Sequence, residues 1–189
     1  MRLEPLSLDH LAGLCAVGLE PSLWRWTTVQ LTTPEQMRGY VETAMQWREQ
    51  GTALPFATIE QTSGRVVGAT RFANIDWPNR HGEIGWTFVA RPWQRTAVNT
   101  EAKYLMLTYA FETLNFIRVE LKTDALNTTS RNAILRIGAK EEGIFRNHMI
   151  CADGRIRDSV YFSIIDSEWP GVKARLKERL REVPPNATA

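Results

Sequence analysis

Residues 94–100, with the sequence QRTAVNT, are the stretch of the chain whose residue types and position best suit the binding of a phosphate group. They stand directly before a segment in which apolar residues recur at helical spacing, so they should open a helix. The first N–H groups of a helix have no acceptors inside the helix and attract anions. Arg95 would add a charged donor. Taken alone, the same residues also fit an ordinary helix start with Asn99 as the N-cap.

Glu83, at the start of the strand-like segment 83–89, is the first candidate for proton transfer. A carboxylate at such a position could accept a proton from a bound group that must lose one. The alternative is a surface glutamate paired with Arg80 or His81. The residue pattern does not choose between these two interpretations.

The elements that would position these residues alternate along the whole chain. Period-two patterns bounded by turn residues predict strands, and helical spacing with N-cap residues predicts helices. The predicted strands are residues 2–6, 54–60, 65–75, 83–89, 118–123, 142–150 and 157–165. The predicted helices begin at Ser7 and then cover residues 33–51, 99–114, 127–138 and 172–181. This order predicts a mixed α/β fold in one domain, residues 1–183, with a frayed tail at 184–189.

The chain resembles the GNAT superfamily of acyl-CoA N-acyltransferases, and most closely its RimJ/RimL-like branch. The resembling motifs are EIGW, PWQRTAVNTEAK, LNFIRVELKTDALNTTSRNAI, IGAKEEGIFR and RDSVYFSI, in this order along the chain. The resemblance implies a mostly antiparallel, twisted sheet of about seven strands with flanking helices, whose fourth and fifth strands run parallel and splay apart. It also implies direct transfer of an acetyl group from acetyl-CoA to an amine in a ternary complex. The acceptor would be a protein N-terminal α-amine or a small-molecule amine.

The same resemblance assigns roles around the central helix. The pantetheine arm would lie in the splay, the pyrophosphate at the helix N-terminus, and the oxyanion against the backbone of the fourth strand. Glu83 would be the base, and Ser130 would protonate the departing thiolate, although a first-turn serine can also make a local backbone hydrogen bond. The residues expected at the cofactor are Trp86, Thr87, Phe88, Gln94, Arg95, Thr96, Ala97, Val98, Asn99, Thr100, Asn127 and Asn132.

Two positions of the pyrophosphate loop depart from the family pattern. Where that pattern has glycine, this chain has Ala97 and Asn99. Glycine supplies positive φ, and asparagine tolerates it better than most residues. The loop is therefore expected to be a variant that still binds phosphate. Asn127 would cap the following helix, contact the pantetheine, or do both.

The acceptor is expected between the first two helices and the sixth and seventh strands. Aromatic side chains suit a slot that holds an extended peptide end or a small amine, and a histidine could act as a base near neutral pH. Core packing is the alternative for each aromatic residue. The candidates are Trp24, Trp26, Trp77, Asn147, His148 and Tyr161. A closed slot between Trp24 and Trp77 would indicate a small amine, and an open groove a peptide.

Composition narrows the remaining classes of protein. The net charge of +2 gives no signal for nucleic acid, and the chain has no apolar run long enough for a signal peptide or a membrane span. Three scattered histidines predict no metal site. Cys15 and Cys151 are expected to be reduced thiols, although their pairing stays open. We therefore expect a cytoplasmic protein, with a homodimer as a further expectation.

Two function classes remain. The first is the acetyl-CoA-dependent N-acetyltransferase, with acetyl-CoA and the amine as its partners. The central motifs contain no cysteine, which argues against a covalent acetyl-enzyme. The second is a non-catalytic CoA-binding or protein-interaction module, because a fold by itself does not determine function.

Overall fold

A computed structural model describes residues 1–182, and the predicted tail at 184–189 lies outside the described residues. Seven strands form one sheet in the order β1-β2-β3-β4-β5-β7-β6. The strands are β1 (Arg2–Pro5), β2 (Leu54–Ile59), β3 (Val66–Asp76), β4 (His81–Val89), β5 (Arg118–Asp124), β6 (Lys140–Ile150) and β7 (Ile156–Ile165). Only β4 and β5 pair in parallel among these strands, so the predicted mixed sheet with a parallel fourth and fifth strand is confirmed.

Five α-helices flank the sheet in the described residues. They are α1 (Leu11–Gly18), α2 (Pro34–Glu49), α3 (Val98–Thr108), α4 (Thr128–Arg136) and α5 (Trp169–Glu182). Thr33 caps α2 through its hydroxyl, which accepts from the Gln36 N–H, and Pro34 occupies the first turn, where proline is tolerated. None of the helices that these residues form is long and apolar enough to cross a bilayer.

Two apolar clusters hold the helices against the sheet. Met106 and Leu107 of α3 and Leu176 of α5 belong to the larger cluster. Leu14 of α1 and Val41 of α2 belong to the smaller one. Because each cluster joins helices to sheet residues, the sheet is fixed between them and its central strands are held in place.

The apolar face of α3 differs from the predicted one. Helical spacing selected positions 102, 105, 106, 109 and 110, but Leu105 and Tyr109 are 37% and 41% exposed. Lys103 and Leu107 are buried in their place. Because lysine is seldom buried, the spacing of apolar residues alone places the apolar stripe to one side of the face that is buried.

Several element boundaries also differ. The predicted helix at 99–114 begins at Val98 and, beyond Thr108, continues as the π-helical turn Tyr109–Thr113. The predicted loop after α1 contains the 3₁₀ turn Pro21–Trp24. The last helix begins at Trp169 rather than at residue 172. Such shifts of a few residues are usual at helix ends, where local capping and tertiary contacts compete.

The parallel strands β4 and β5 separate part-way along their length. Their pairing begins at His81 with Arg118 and ends at Glu83 with Glu120. Beyond Glu83, β4 continues to Val89 without β5 as a partner, so its edge is open on that side. The splay that the resemblance implied is therefore present.

Candidate active site

The N-terminus of α3 stands beside the end of β4 and presents free backbone donors. The first intrahelical bond runs from Glu101 N to Ala97 O at 2.8 Å. The N–H groups of Asn99 and Thr100, which precede it, have no backbone acceptor in the described part of the chain. Together with the helix dipole, these donors form a site for an anion.

In the loop before α3, the residue with positive φ stands at neither of the two positions where the family pattern has glycine. Arg95 takes the positive φ of 62°, whereas Ala97 has φ −66° and caps the helix. Asn99 does not use the positive φ that asparagine tolerates, and the alternative that Asn99 is the N-cap is wrong. Since neither Ala97 nor Asn99 is in a glycine conformation, the variant residues leave the loop free of backbone strain at these positions.

Local hydrogen bonds fix the loop on the end of β4. The Gln94 amide donates to the carbonyl of Val89 at 2.9 Å, and the Thr96 hydroxyl donates to that of Trp93 at 2.7 Å. The Thr96 hydroxyl also accepts from Val98 N–H at 3.3 Å. The predicted residues 94–100 thus form one ordered turn that joins β4 to α3.

Trp86 lies in a β-bulge in the open part of β4. The register changes from Ala69 opposite Phe88 to Arg71 opposite Gly85, so two residues of β4 lie across from one of β3. Trp86 has φ 48°, a conformation that costs about 1–3 kcal/mol in a residue other than glycine. Its carbonyl accepts a hydrogen bond of 3.0 Å from the hydroxyl of Tyr40. The bulge turns the backbone of Trp86 and Thr87 away from the regular ladder, beside the splay.

Glu83 is a buried residue, not a surface one. Its Oε2 accepts from Lys122 Nζ at 2.8 Å and from Asn74 Nδ2 at 2.9 Å, and the residue is only 3% exposed. The alternative pairing with Arg80 or His81 is therefore wrong. Both partners of Glu83 hold the same oxygen, which leaves Oε1 without a hydrogen bond inside the described residues.

Gly85 provides the space for that second oxygen. A Cβ at position 85 would stand 2.9 Å from Oε1 of Glu83, closer than such atoms approach in proteins. Oε1 therefore lies over the backbone of β4, next to the bulge. The carboxylate points along the open strand because position 85 carries no side chain.

Lys122 connects Glu83 to the aromatic residues of the predicted acceptor region. Its Nζ lies 5.8 Å from the centre of the Trp86 ring and 5.7 Å from that of Tyr161. Tyr161 in turn packs against His148, with 5.7 Å between ring centres. The structure therefore brings Glu83, Trp86, Tyr161 and His148 to one face of the sheet, across β4, β5, β7 and β6.

His148 has a lowered pKa, which favours its neutral imidazole form. Burial and the nearby cations Lys122 and Arg157 lower its pKa below the ordinary 6.5. Its Nδ1 lies 3.0 Å from Oγ of Ser159, which also accepts from Arg157 Nε at 2.9 Å. Arg157 donates to the carbonyl of Trp26 at 3.3 Å. This bond connects Trp26 and the loop after α1 to the same face. Asn147 is exposed, and its backbone N–H donates to the carboxylate of Asp158.

Two predicted acceptor residues lie elsewhere. Trp24 is 5% exposed and packs in the core against Phe88 and Tyr40, with its indole N–H on the carbonyl of Gly18. Trp77 is 46% exposed at the opposite end of β4 and donates to the carbonyl of Gly51. Tyr40 lies in the middle of α2, whereas Gly51 lies beyond its C-terminal end, so the two tryptophans contact different parts of the chain. The structure therefore does not form a slot between these two tryptophans.

Ser130 lies in the first turn of α4 with its hydroxyl free. Asn127 caps the helix, as predicted, by accepting the Ser130 N–H on Oδ1 at 3.0 Å. The Ser130 hydroxyl makes no hydrogen bond to the described residues, so the local backbone bond offered as its alternative is absent. Asn132 is exposed on the same helix.

Three buried cations escaped the sequence analysis: Arg157, described above, Arg71 and Lys103. Arg71 is 2% exposed, and its guanidinium lies 4.6–5.4 Å from the rings of Tyr40, Trp47 and Trp86, while Nη2 has no partner in the described residues. Lys103 is 6% exposed beneath the bulge. The sequence gives no sign that Arg71 or Lys103 is buried. Arg71 stands in an ordinary strand pattern and Lys103 in an ordinary helix pattern.

Among residues 1–182, no group of three or more histidine, cysteine or acidic side chains is placed to hold a metal ion. Cys15 and Cys151 are both free thiols. The site consists of side-chain acids, bases and hydroxyls around an open strand, next to a helix N-terminus.

Comparison with known proteins identifies the family. The profile described as "Acetyltransferase (GNAT) domain" matches residues 1–140. The chain belongs to the GNAT acetyltransferase family. It is 32% identical over 173 residues to the Bacillus subtilis protein named "Putative ribosomal N-acetyltransferase YdaF", covering 90% of this chain and 92% of that protein.

Solved structures agree with this assignment. A GCN5-related N-acetyltransferase from Brucella melitensis superposes with a TM-score of 0.88 and is 32% identical, covering 100% of this chain and 86% of its own. RimJ from Mycobacterium smegmatis, solved with CoA-disulfide, has the same fold at 23% identity and a TM-score of 0.82, covering 95% and 88%. The chain is an acyltransferase of this family, and its relatives support the RimJ/RimL-like branch.

Proposed function

We propose that the protein is an acetyl-CoA-dependent N-acetyltransferase, which moves the acetyl group directly to an amine in a ternary complex. The observation that carries the proposal is the position of Glu83. It is a buried carboxylate with one oxygen fixed by Lys122 and Asn74 and the other clear over Gly85, where β4 leaves β5.

Acetyl-CoA fits the residues that surround this carboxylate. The free N–H groups of Asn99 and Thr100, with Arg95 in the preceding loop, are suited to its pyrophosphate. The open edge of β4 offers unpaired backbone groups to the amides of its pantetheine arm. When bound, acetyl-CoA supplies the acyl group, and the remaining chemistry is proton transfer by this chain.

Glu83 is the proposed base. Its fixed oxygen keeps the carboxylate in one orientation, so Oε1 can accept the proton that the attacking ammonium must lose. The ammonium of Lys122 forms an ion pair with the carboxylate through Oε2. His148, neutral and on the same face, is the second candidate for this role. The free hydroxyl of Ser130 is the proposed acid for the departing thiolate.

The acceptor is an amine of either class, a protein N-terminus or a small molecule. The aromatic and cationic residues of the sheet face, Trp26, Trp86, Lys122, His148 and Tyr161, would contact it. YdaF is named for ribosomal substrates and supports a protein acceptor. The cytoplasmic location and the homodimer stay predictions.

Cofactor binding is the first test. A thermal-shift titration with acetyl-CoA and with CoA should raise the melting temperature, because a ligand at about a hundred times its dissociation constant adds roughly 2.7 kcal/mol to stability. Release of CoA should then be measured with a panel of N-terminal peptides and small amines. No thermal shift at millimolar ligand would contradict the cofactor site.

The second test addresses the base. Glu83→Gln should lower kcat by about 100-fold or more, with the largest loss at low pH, where the acceptor amine is protonated. Glu178→Gln, at an exposed position of α5, is the matched control and should retain the activity of the parent. A pH–rate profile identical to that of the parent would remove Glu83 from the role of base.

A further inference from the structure

Lys103 is a buried ammonium group with no acidic partner. It lies in the second turn of α3, and its Nζ donates to the hydroxyl of Thr87 at 3.0 Å and to that of Thr70 at 3.4 Å. Burial alone lowers its pKa from 10.5 to about 7, since no charged side chain contributes to the shift. The acidic residue nearest on α3, Glu101, is bound instead to the amino terminus of Met1.

Thr87 connects this buried group to the site. It belongs to the bulge of β4, beyond the last pair with β5, and it is exposed although its hydroxyl touches the buried Lys103. Its Oγ1 also lies 2.7 Å from Oγ1 of Thr70. The three groups therefore form a short hydrogen-bonded chain from the interior under α3 to the surface of the splay.

Such a chain can move a proton. A hydroxyl both donates and accepts, so Thr87 can give its proton to a group in the splay and take one from Lys103. A donor for a thiolate works best when its own pKa lies near the working pH, and Lys103 meets that condition. Nothing else in the proposed mechanism uses Lys103.

From this geometry we infer that Lys103, acting through the hydroxyl of Thr87, supplies the proton to the departing thiolate of CoA and takes the place of Ser130 in that role. The inference rests on the proposed acetyl transfer. The acceptor nitrogen forms its bond to the acyl carbon, the carbon–sulfur bond breaks, and the electron pair stays on sulfur. Sulfur takes the Thr87 proton, Thr87 takes one from Lys103, and Lys103 regains a proton from water. The proton of the acceptor ammonium goes separately to Glu83.

The first test measures the thiol of bound CoA rather than turnover. Its ionisation is followed by the ultraviolet absorbance of the thiolate as the pH of the protein–CoA complex is raised. At and below its pKa of about 7 Lys103 is an ammonium that stabilises a nearby thiolate, so the thiolate fraction in this pH range should be higher in the parent than in Lys103→Met. Thr87→Val, which keeps the shape and removes the hydroxyl, should give a smaller effect in the same direction.

The second test measures turnover in matched variants. Thr87→Val and Lys103→Met should each lower kcat by about 100-fold, whereas Thr87→Ser, which keeps the hydroxyl, should retain most of it. The alkaline limb of the kcat profile should disappear in Lys103→Met. Lys177→Met, at an exposed position of α5, is the control and should behave as the parent does.

The outcomes separate this inference from the proposed function. If the parent transfers acetyl groups and the variants keep its thiol titration and its pH profile, the relay is wrong and Ser130 remains the acid. If Thr87→Val weakens CoA binding but leaves kcat unchanged, Thr87 is only a cofactor contact, which also overturns the relay. If the parent shows no acetyl transfer to any amine, the proposed function itself fails. The titration of bound thiol still reports whether Lys103 faces the sulfur.

Discussion

Replacing Lys103 with methionine should stabilise the protein at neutral pH. The folded state holds this amine at a pKa of about 7, against an ordinary value of 10.5, because burial disfavours the ammonium form. The two values differ by an amount that corresponds to roughly 5 kcal/mol. At pH 7 about 4 kcal/mol of this cost is present. Methionine fills a similar space without a charge, and Thr70 and Thr87 still bond to each other.

The sign of the pH dependence follows from proton binding. Between pH 7 and pH 10.5 the unfolded chain holds a proton on Lys103 that the folded protein has released, so stability rises with pH. The free energy of unfolding of the parent should therefore approach that of Lys103→Met as pH increases, by about 1.4 kcal/mol per pH unit over the middle of this range. Near pH 10.5 the difference should be small.

Urea unfolding at several pH values measures this difference. Both proteins share every other titrating group, so the difference between their unfolding free energies isolates Lys103. Lys177→Met, exposed on α5, should remain within about 0.5 kcal/mol of the parent throughout. If the difference in unfolding free energy between the parent and Lys103→Met stays constant from pH 7 to pH 10, Lys103 is not a buried, largely desolvated amine.

Three further predictions concern the site itself. Asn99→Asp should weaken CoA binding about tenfold in a calorimetric titration, because it places a carboxylate beside the phosphates. The melting temperature of the free protein should stay unchanged or rise, because a carboxylate is favourable at a helix N-terminus. Gly85→Ala should lower kcat by displacing the carboxylate of the proposed base from its open position, whereas Gly143→Ala, where a Cβ meets nothing within 4 Å, should be silent in the same assay. Lys122→Met should raise the pKa of His148 in an NMR titration, because one of the two cations that lower it is removed.

Much of the fold was accessible from the sequence because its signals are local. The alternation of Val119, Leu121 and Thr123 with charged residues predicts β5, and the Asn127 cap and Gly138 terminus predict α4. The order of these elements predicts the mixed sheet. Each signal depends on spacing along the chain or on the chemistry of one turn, so no distant contact is needed to read it.

The environments of the charged residues were decided only by the tertiary structure. Glu83 and Lys122 are 39 residues apart, and their ion pair exists because β4 and β5 lie side by side for three residues before they separate. Lys103 looks like the exposed side of an amphipathic helix, and it is buried because α3 rotates to place Leu107 in the core. The sequence by itself determined which residues could do the chemistry and which elements carry them. Their burial, charge partners and proton affinity depend on contacts between distant strands and helices, which no local pattern encodes.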